Sequence, residues 1–253
     1  MCRFKSGIIL KTRCVIAQGS NDSHSDLLEE IGMDDTTQNA MTKFVRAELL
    51  PPNDEWWTDP DTWKVNIDQD IVPDWFDEDR DRYIEEFREA VKQWWEVHVL
   101  IDKTMDELSG GYYRLKRCKV KNLLKDVQVM CDSSVVQRMY GSSVVQEMYD
   151  SSVVQVMCDS SVVQRMYGSS VVQEMYDSSV VQVMCDSSVV QRMYGSSVVQ
   201  EMYDSSVVQV MCDSSVVQRM YGSSVARDYA NGIIHISSES LLEPQSHENK
   251  EDD

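Results

Sequence analysis

The sequence has no long apolar run, no paired-cysteine motif and little positive charge, and each lack removes a class of function. Across 253 residues no apolar stretch approaches the ~18 residues with which a helix crosses a bilayer. Near the start the apolar run after Ser6 covers just residues 7–10, which is too short for the core of a secretory signal. The seven cysteines are an odd number: Cys2, Cys14 and Cys118 stand alone, while Cys131, Cys158, Cys185 and Cys212 recur every 27 residues. No Cys-x-x-Cys is there to hold zinc or carry electrons, and the spacing is unlike a secreted disulfide framework. A reducing cytoplasm is the expected compartment. Lys and Arg total 24 against 43 Asp and Glu, a net charge of -19. That balance opposes direct capture by DNA, RNA or an anionic membrane. What is present suffices for a core, since 42% of residues are hydrophobic and 26% charged.

Two grammars divide the chain. Residues 1–125 are irregular, hold all six tryptophans, and carry 18 basic and 25 acidic side chains. Residues 126–253 carry 6 basic and 18 acidic ones and are dominated by a nine-residue phrase. Ser-Ser opens it at 133, 142, 151, 160, 169, 178, 187, 196, 205, 214 and 223. Ten phrases read SSVVQxMx followed by Asp or Gly, and the eleventh, SSVARDYAN, breaks the pattern. A strict period of this kind marks a repeat architecture.

Paired Val and paired Ser disfavour a helix, and Gly or Asp interrupts every ninth position. The phrase suits a short strand, VVQxM, followed by a polar corner. One such strand cannot bury its apolar side alone, whereas stacked coils can. The expected fold is therefore an α+β N-terminal domain (1–125) capping a parallel β-solenoid (126–236), with an acidic tail (237–253) expected to be disordered. A strand at 232–236 is expected to close the far end.

Charge narrows the coil length, and one phrase per coil, which also avoids like-charge stacking, leaves little room for an interior. The sixth position runs Arg138, Glu147, Val156, Arg165, Glu174, Val183, Arg192, Glu201, Val210, Arg219. Three phrases per coil would stack Arg on Arg at ~4.8 Å, which is destabilising. Two phrases set Glu147 beside Arg165, Glu174 beside Arg192 and Glu201 beside Arg219, so coils of about 18 residues are expected, and the 27-residue super-period reads as duplication of a three-phrase block. Strict alternation would turn Val135, Gln137 and Met139 to one face, burying a glutamine ladder. A bend after Val136 would instead bury Val136 and Met139.

In the front domain a hairpin is expected over 6–17, a helix over 23–32 capped by Ser23 or Ser25, strands at 44–50 and 63–67, and a helix from about Asp79 to Val97. Ile84, Phe87, Val91, Trp94 and Trp95 give that last helix one apolar stripe.

Candidate chemistry is sparse. If the initiator Met is removed, Cys2 becomes an N-terminal residue whose amine could serve as its own base. Trp56, Trp57, Trp63 and Trp75 are the candidates for a ligand groove, set against burial in the core. Asp59 with Asp61, and Asp68 with Asp70, are spaced to hold a hard cation, yet no twelve-residue calcium loop surrounds them. No cofactor is expected. The alternating Arg138, Glu147, Arg165, Glu174, Arg192, Glu201 and Arg219 are the candidate interaction surface.

The stretches MCRFKSGIILK, SHSDLLEEIG, FVRAELLPP and WKVNIDQDIVPDW, followed by SS-x-VQ-x-M phrases, together resemble uncharacterised proteins of gut Firmicutes and their phages. The resemblance implies a bacterial, phage-related setting and carries no activity. The expected function is that of a non-enzymatic interaction or scaffold protein with a protein partner, able to self-associate through solenoid ends or faces. Two alternatives are a small-ligand binder or enzyme centred on the Trp-rich domain, and an acidic inhibitor of a nucleic-acid-binding enzyme.

Overall fold

The computed structural model describes residues 4–18, 22–109, 111–124 and 126–228, with the backbone alone at 233–236. The chain forms two compact units. One comprises Met1–Thr104, Ser109–Cys118 and Lys125–Gln128; the other comprises Met105–Leu108, Lys119–Leu124 and Val129–Asp253.

The first unit is built on an antiparallel sheet. Its strands β1 (Lys5–Leu10), β2 (Arg13–Ile16), β3 (Phe44–Leu50) and β4 (Lys64–Ile67) lie in the order β2-β1-β3-β4. Period-two alternation gives each sheet face its own apolar set. Ile9, Val45, Ala47 and Leu49 join one cluster with Phe87, Val91 and Trp94. Ile8 and Phe44 join another with Leu27, Leu28 and Ala40. Helix α1 (His24–Glu30) is capped by Ser23, which accepts the Asp26 N–H, and α2 (Thr37–Ala40) is capped by Thr36. The long apolar stripe belongs to α4 (Arg80–His98), which buries Tyr83, Phe87, Val91 and Trp94. The chain breaks at Asp79, leaving a separate short α3 (Asp74–Glu78) before it. Gly7 permits the close approach of α4, because a Cβ there would lie 2.6 Å from the Phe87 ring. Strand β5 (Val99–Ile101) pairs in parallel with β7 (Tyr113–Lys116).

The second unit is a parallel β-solenoid. It starts with β6 (Thr104–Leu108) and β8 (Lys119–Leu123), and takes the second part of β9 (Val127–Cys131). One strand per phrase follows: β10 (Val135–Met139), β11 (Val144–Met148), β12 (Val153–Met157), β13 (Val162–Met166), β14 (Val171–Met175), β15 (Val180–Met184), β16 (Val189–Met193), β17 (Val198–Met202), β18 (Val207–Met211) and β19 (Val216–Met220). Strands β20 (Val225–Asp228) and β21 (Ile233–Ile236) end it. Even-numbered strands stack in one sheet from β6 to β20, and odd-numbered ones in another from β9 to β19. Stacked partners are 18 residues apart, as in Val135↔Val153 and Met139↔Met157. β21 closes the even sheet by pairing antiparallel with β20. β19 is an edge strand of the odd sheet, and Val216 is 45% exposed there. The tail at 237–253, with Asn231 and Gly232, lies outside the described residues.

Strict alternation does not hold inside the coils. The interior is made by the second, fourth and seventh positions: Ser134, Val136 and Met139 are 0% exposed, and so are most of their equivalents. Gln137 and Arg138 both face solvent, so the strand bends at the glutamine and no glutamine ladder is buried. The buried hydroxyls differ among themselves: Ser134 donates to the Cys131 carbonyl at 2.8 Å, whereas Ser188 and eight others have no partner.

The corner explains the ninth residue. Asp150, Asp177 and Asp204 have φ of 56–57°, and Gly168, Gly195 and Gly222 have 65–66°. This left-handed region suits glycine, and aspartate tolerates it better than most residues. Ser143 N–H closes the turn on Tyr140 O, and Ser160 N–H bonds Gly141 O one coil back. Where the next coil supplies Asp, its carboxylate takes the remaining N–H, as Asp159 takes that of Gly141 at 2.9 Å and Asp186 that of Gly168 at 2.8 Å. Backbone bonding therefore runs on through the corners.

Candidate functional site

On the solenoid the sixth positions pair as Glu147↔Arg165, Glu174↔Arg192 and Glu201↔Arg219. Arg138 lies opposite Asn122 and Val156, Arg165 opposite Val183, and Arg192 opposite Val210. No like charges meet in these pairs among the described residues. The three ion pairs span 3.4, 3.1 and 2.7 Å, and their arginines are 53%, 53% and 65% exposed.

Each pair is one edge of a four-residue group. Two residues along, Tyr149 stacks on Tyr167, Tyr176 on Tyr194 and Tyr203 on Tyr221, with ring centres 4.9–5.1 Å apart and planes 12–13° from parallel. The first tyrosine of each stack donates its hydroxyl to the glutamate, at 2.8, 2.9 and 2.8 Å. Burial, then the bond to Glu147, pushes the Tyr149 phenol well above its ordinary value. The Tyr203 hydroxyl, then Arg219, holds the Glu201 carboxyl below the usual range. Because a three-phrase block runs on a two-phrase coil, the groups alternate between sheets: β11/β13, then β14/β16, then β17/β19. Val and Cys fill the same two positions elsewhere, as at Val183 and Cys185.

In the N-terminal unit the tryptophans serve mainly as core. Trp56 and Trp63 are 5% and 1% exposed and meet edge to face at 5.3 Å. Trp57 and Trp75 pack against that core partly buried, and Trp75 Nε1 donates to Thr42 O at 3.0 Å. Buried among them, Arg114 lies 4.0 Å over the Trp56 ring. Lys5 is buried in an ion pair with Asp22 at 2.9 Å and lies 4.1 Å over the Trp94 ring. Next to this, burial lowers the His98 pKa, with Lys5 acting in the same direction and a bond to the Tyr112 carbonyl opposing it.

The four candidate aspartates do not converge on one point. Asp59 accepts the Asp61 N–H, and Asp61 pairs with Lys92. Asp70 helps line a cavity of about 370 Å³ with Asp35, Arg46 and Ile71. Only Asp68 joins a ligand-like set, with His24 and Glu48, two residues that sequence reasoning did not single out. A second such set, Cys131 with Asp132 and Asp150, sits at the first solenoid corner, where Asp150 accepts the Asp132 N–H. A groove of about 630 Å³ is lined by the partly buried Cys14 with Arg13, Arg82 and Glu86. Burial, then Glu86, pushes that thiol up to about 11, so it is a poor nucleophile at neutral pH. Cys2 lies outside the described residues.

No described helix is long and apolar enough to cross a membrane. Compared with family models, curated proteins and solved structures, the chain matches none. It is a repeat protein whose function must be argued from its own residues.

Proposed function

We propose that the protein is a non-enzymatic interaction scaffold whose solenoid offers the Glu–Arg–Tyr–Tyr groups to a protein partner. The observation that carries this reading is that the coil does not need them. Val and Cys occupy the same positions at Val156 and Cys158, Val183 and Cys185, and Val210 and Cys212, in strands of the same length and register. Charge and aromatic surface are thus additions to a framework already closed by its backbone and its Val–Met interior. Arg and Tyr are enriched at protein interfaces, where a stacked ring contributes area at little entropic cost. On the odd-numbered sheet the groups at β11/β13 and β17/β19 are three coils apart, or ~14 Å at strand spacing, a fixed ruler for a partner with two matching subsites.

The test is capture of partners by the intact chain, compared with the triple variant Arg165→Gln, Arg192→Gln and Arg219→Gln. A partner lost from a variant with an unchanged circular dichroism spectrum supports the reading. A partner retained in full by the triple variant, and by Tyr176→Ala with Tyr194→Ala, would sink it.

A further inference from the structure

The geometry points to a divalent transition-metal site in the N-terminal unit, formed by His24, Glu48 and Asp68. These residues come from three elements. His24 opens α1 directly after the Ser23 cap. Glu48 on β3 stands opposite Asn66 on β4, and Asp68, just past β4, is fixed by its N–H bond to Arg46 O at 2.9 Å. Their ligand atoms, one from each, lie within 4.8 Å of one another.

The hydrogen bond on the far side of the imidazole sets its chemistry. His24 Nε2 is 3.2 Å from the Ala47 carbonyl oxygen, which can only accept. That nitrogen therefore carries the hydrogen, and in the neutral ring Nδ1 presents a bare lone pair. Nδ1 faces the Asp68 carboxylate at 3.2 Å, from a side chain that is 91% removed from solvent (9% exposed). A lone pair facing carboxylates is repulsive unless something positive lies between them. Arg46, which projects from the same strand as Glu48, is committed to Asp35.

A proton on Nδ1 would satisfy one carboxylate. A divalent ion would satisfy the ring and both carboxylates. The supporting bonds favour the ion: the backbone carbonyl fixes the ring, and Asn66 Nδ2 fixes Glu48 Oε2 at 2.8 Å. Outer partners of this kind orient ligating histidines and carboxylates in metal sites. One nitrogen with two carboxylates selects zinc, cobalt or manganese over calcium and magnesium, which take oxygen throughout. Three protein ligands leave an open position. Asp68 is 53% exposed and can swing to close the set around an ion.

The experiment is titration of the full chain with Co²⁺, followed by visible absorption and calorimetry, for the parent chain, Asp68→Asn and His24→Gln. The site predicts one tightly bound equivalent with nitrogen and oxygen ligation and no thiolate charge-transfer band, weakened about tenfold or more in each variant. Equal concentrations of Mg²⁺ should not compete. Asp68→Asn alters a half-exposed position, so it reports even if His24→Gln fails to fold. The proposal is overturned by no stoichiometric binding, by a thiolate-type spectrum alone, or by affinity unchanged in Asp68→Asn. His24 and Asp68 would then be an imidazolium–carboxylate ion pair and nothing more.

Discussion

Glu201 and Arg219 meet at 2.7 Å across neighbouring strands, and the other oxygen of the same carboxylate takes the Tyr203 hydroxyl at 2.8 Å. Both bonds favour the ionised carboxyl, so its pKa in the folded state lies below the ordinary 4.5. A depressed carboxyl stabilises the fold at pH above its unfolded value, and that stabilisation is lost as pH falls through the lowered native value. The Tm advantage of the parent chain over Glu201→Gln should therefore be full at pH 7. It should shrink as pH drops below 4.5, and also in high salt because the pair is exposed. A gap in Tm that is constant from pH 7 to ~3 would contradict the linkage.

The interior assignment is checked within one strand. Met139 is 0% exposed, whereas Gln137, two residues earlier, faces solvent. Met139→Ala should cost ~2–5 kcal/mol through lost contacts and a cavity. Gln137→Ala should stay within ~0.5 kcal/mol. Denaturant titration of both variants decides between this packing and strict alternation, which would give the two changes similar weight.

The Ser column separates two kinds of buried hydroxyl. Ser134 donates to a carbonyl at 2.8 Å, so Ser134→Ala should destabilise by ~0.5–1.5 kcal/mol. Ser188 is equally buried but has no partner. Its removal in Ser188→Ala sheds an unpaid desolvation cost and should leave the melting temperature unchanged or raised.

How much of this was legible before the fold depends on whether a feature is local. Coil length could be read because Arg138, Glu147 and Val156 allow only some stackings without like charges in contact. The hairpin at β1–β2, the Ser23 cap and the α4 stripe were local patterns and appear where expected. The side of the strand was not legible, since VVQxM fits both a straight strand and one bent at glutamine. Nor was the short α3 (Asp74–Glu78), because the acidic run before α4 suits either a helix or a cap, although the start of α4 near Asp79 was expected. His24, Glu48 and Asp68 were hidden for a different reason: only the pairing of β3 with β4 and the docking of α1 bring them together.

At the corners, Gly168 and Asp186 test separate demands. Gly168 has φ of +65°, and a Cβ there would lie 3.1 Å from the Asp150 nitrogen. Gly168→Ala should therefore cost more than the ~1–2 kcal/mol of left-handed strain alone. Asp186→Ala should be destabilising too, because the Gly168 N–H loses its acceptor at 2.8 Å. Asp186→Asn keeps an acceptor oxygen and tolerates the same backbone, so its melt should fall close to that of the parent chain.

Cys14 gives the last test, through its rate of alkylation. With its pKa pushed up to about 11, first by burial and then by Glu86, the thiol ionises very little at neutral pH. At pH 8 only ~1 thiol in 1,000 would be thiolate, and the thiolate is the reacting form. Iodoacetamide followed by peptide mapping should find Cys14 nearly unmodified in the folded protein and readily modified after denaturation. Glu86→Gln removes the smaller of the two causes, so it should speed the folded-state reaction while leaving it slower than in the unfolded chain. Rapid labelling of Cys14 in the intact fold would mean that the groove beside Arg13 and Arg82 is more open to solvent than the packing of β2 on α4 allows.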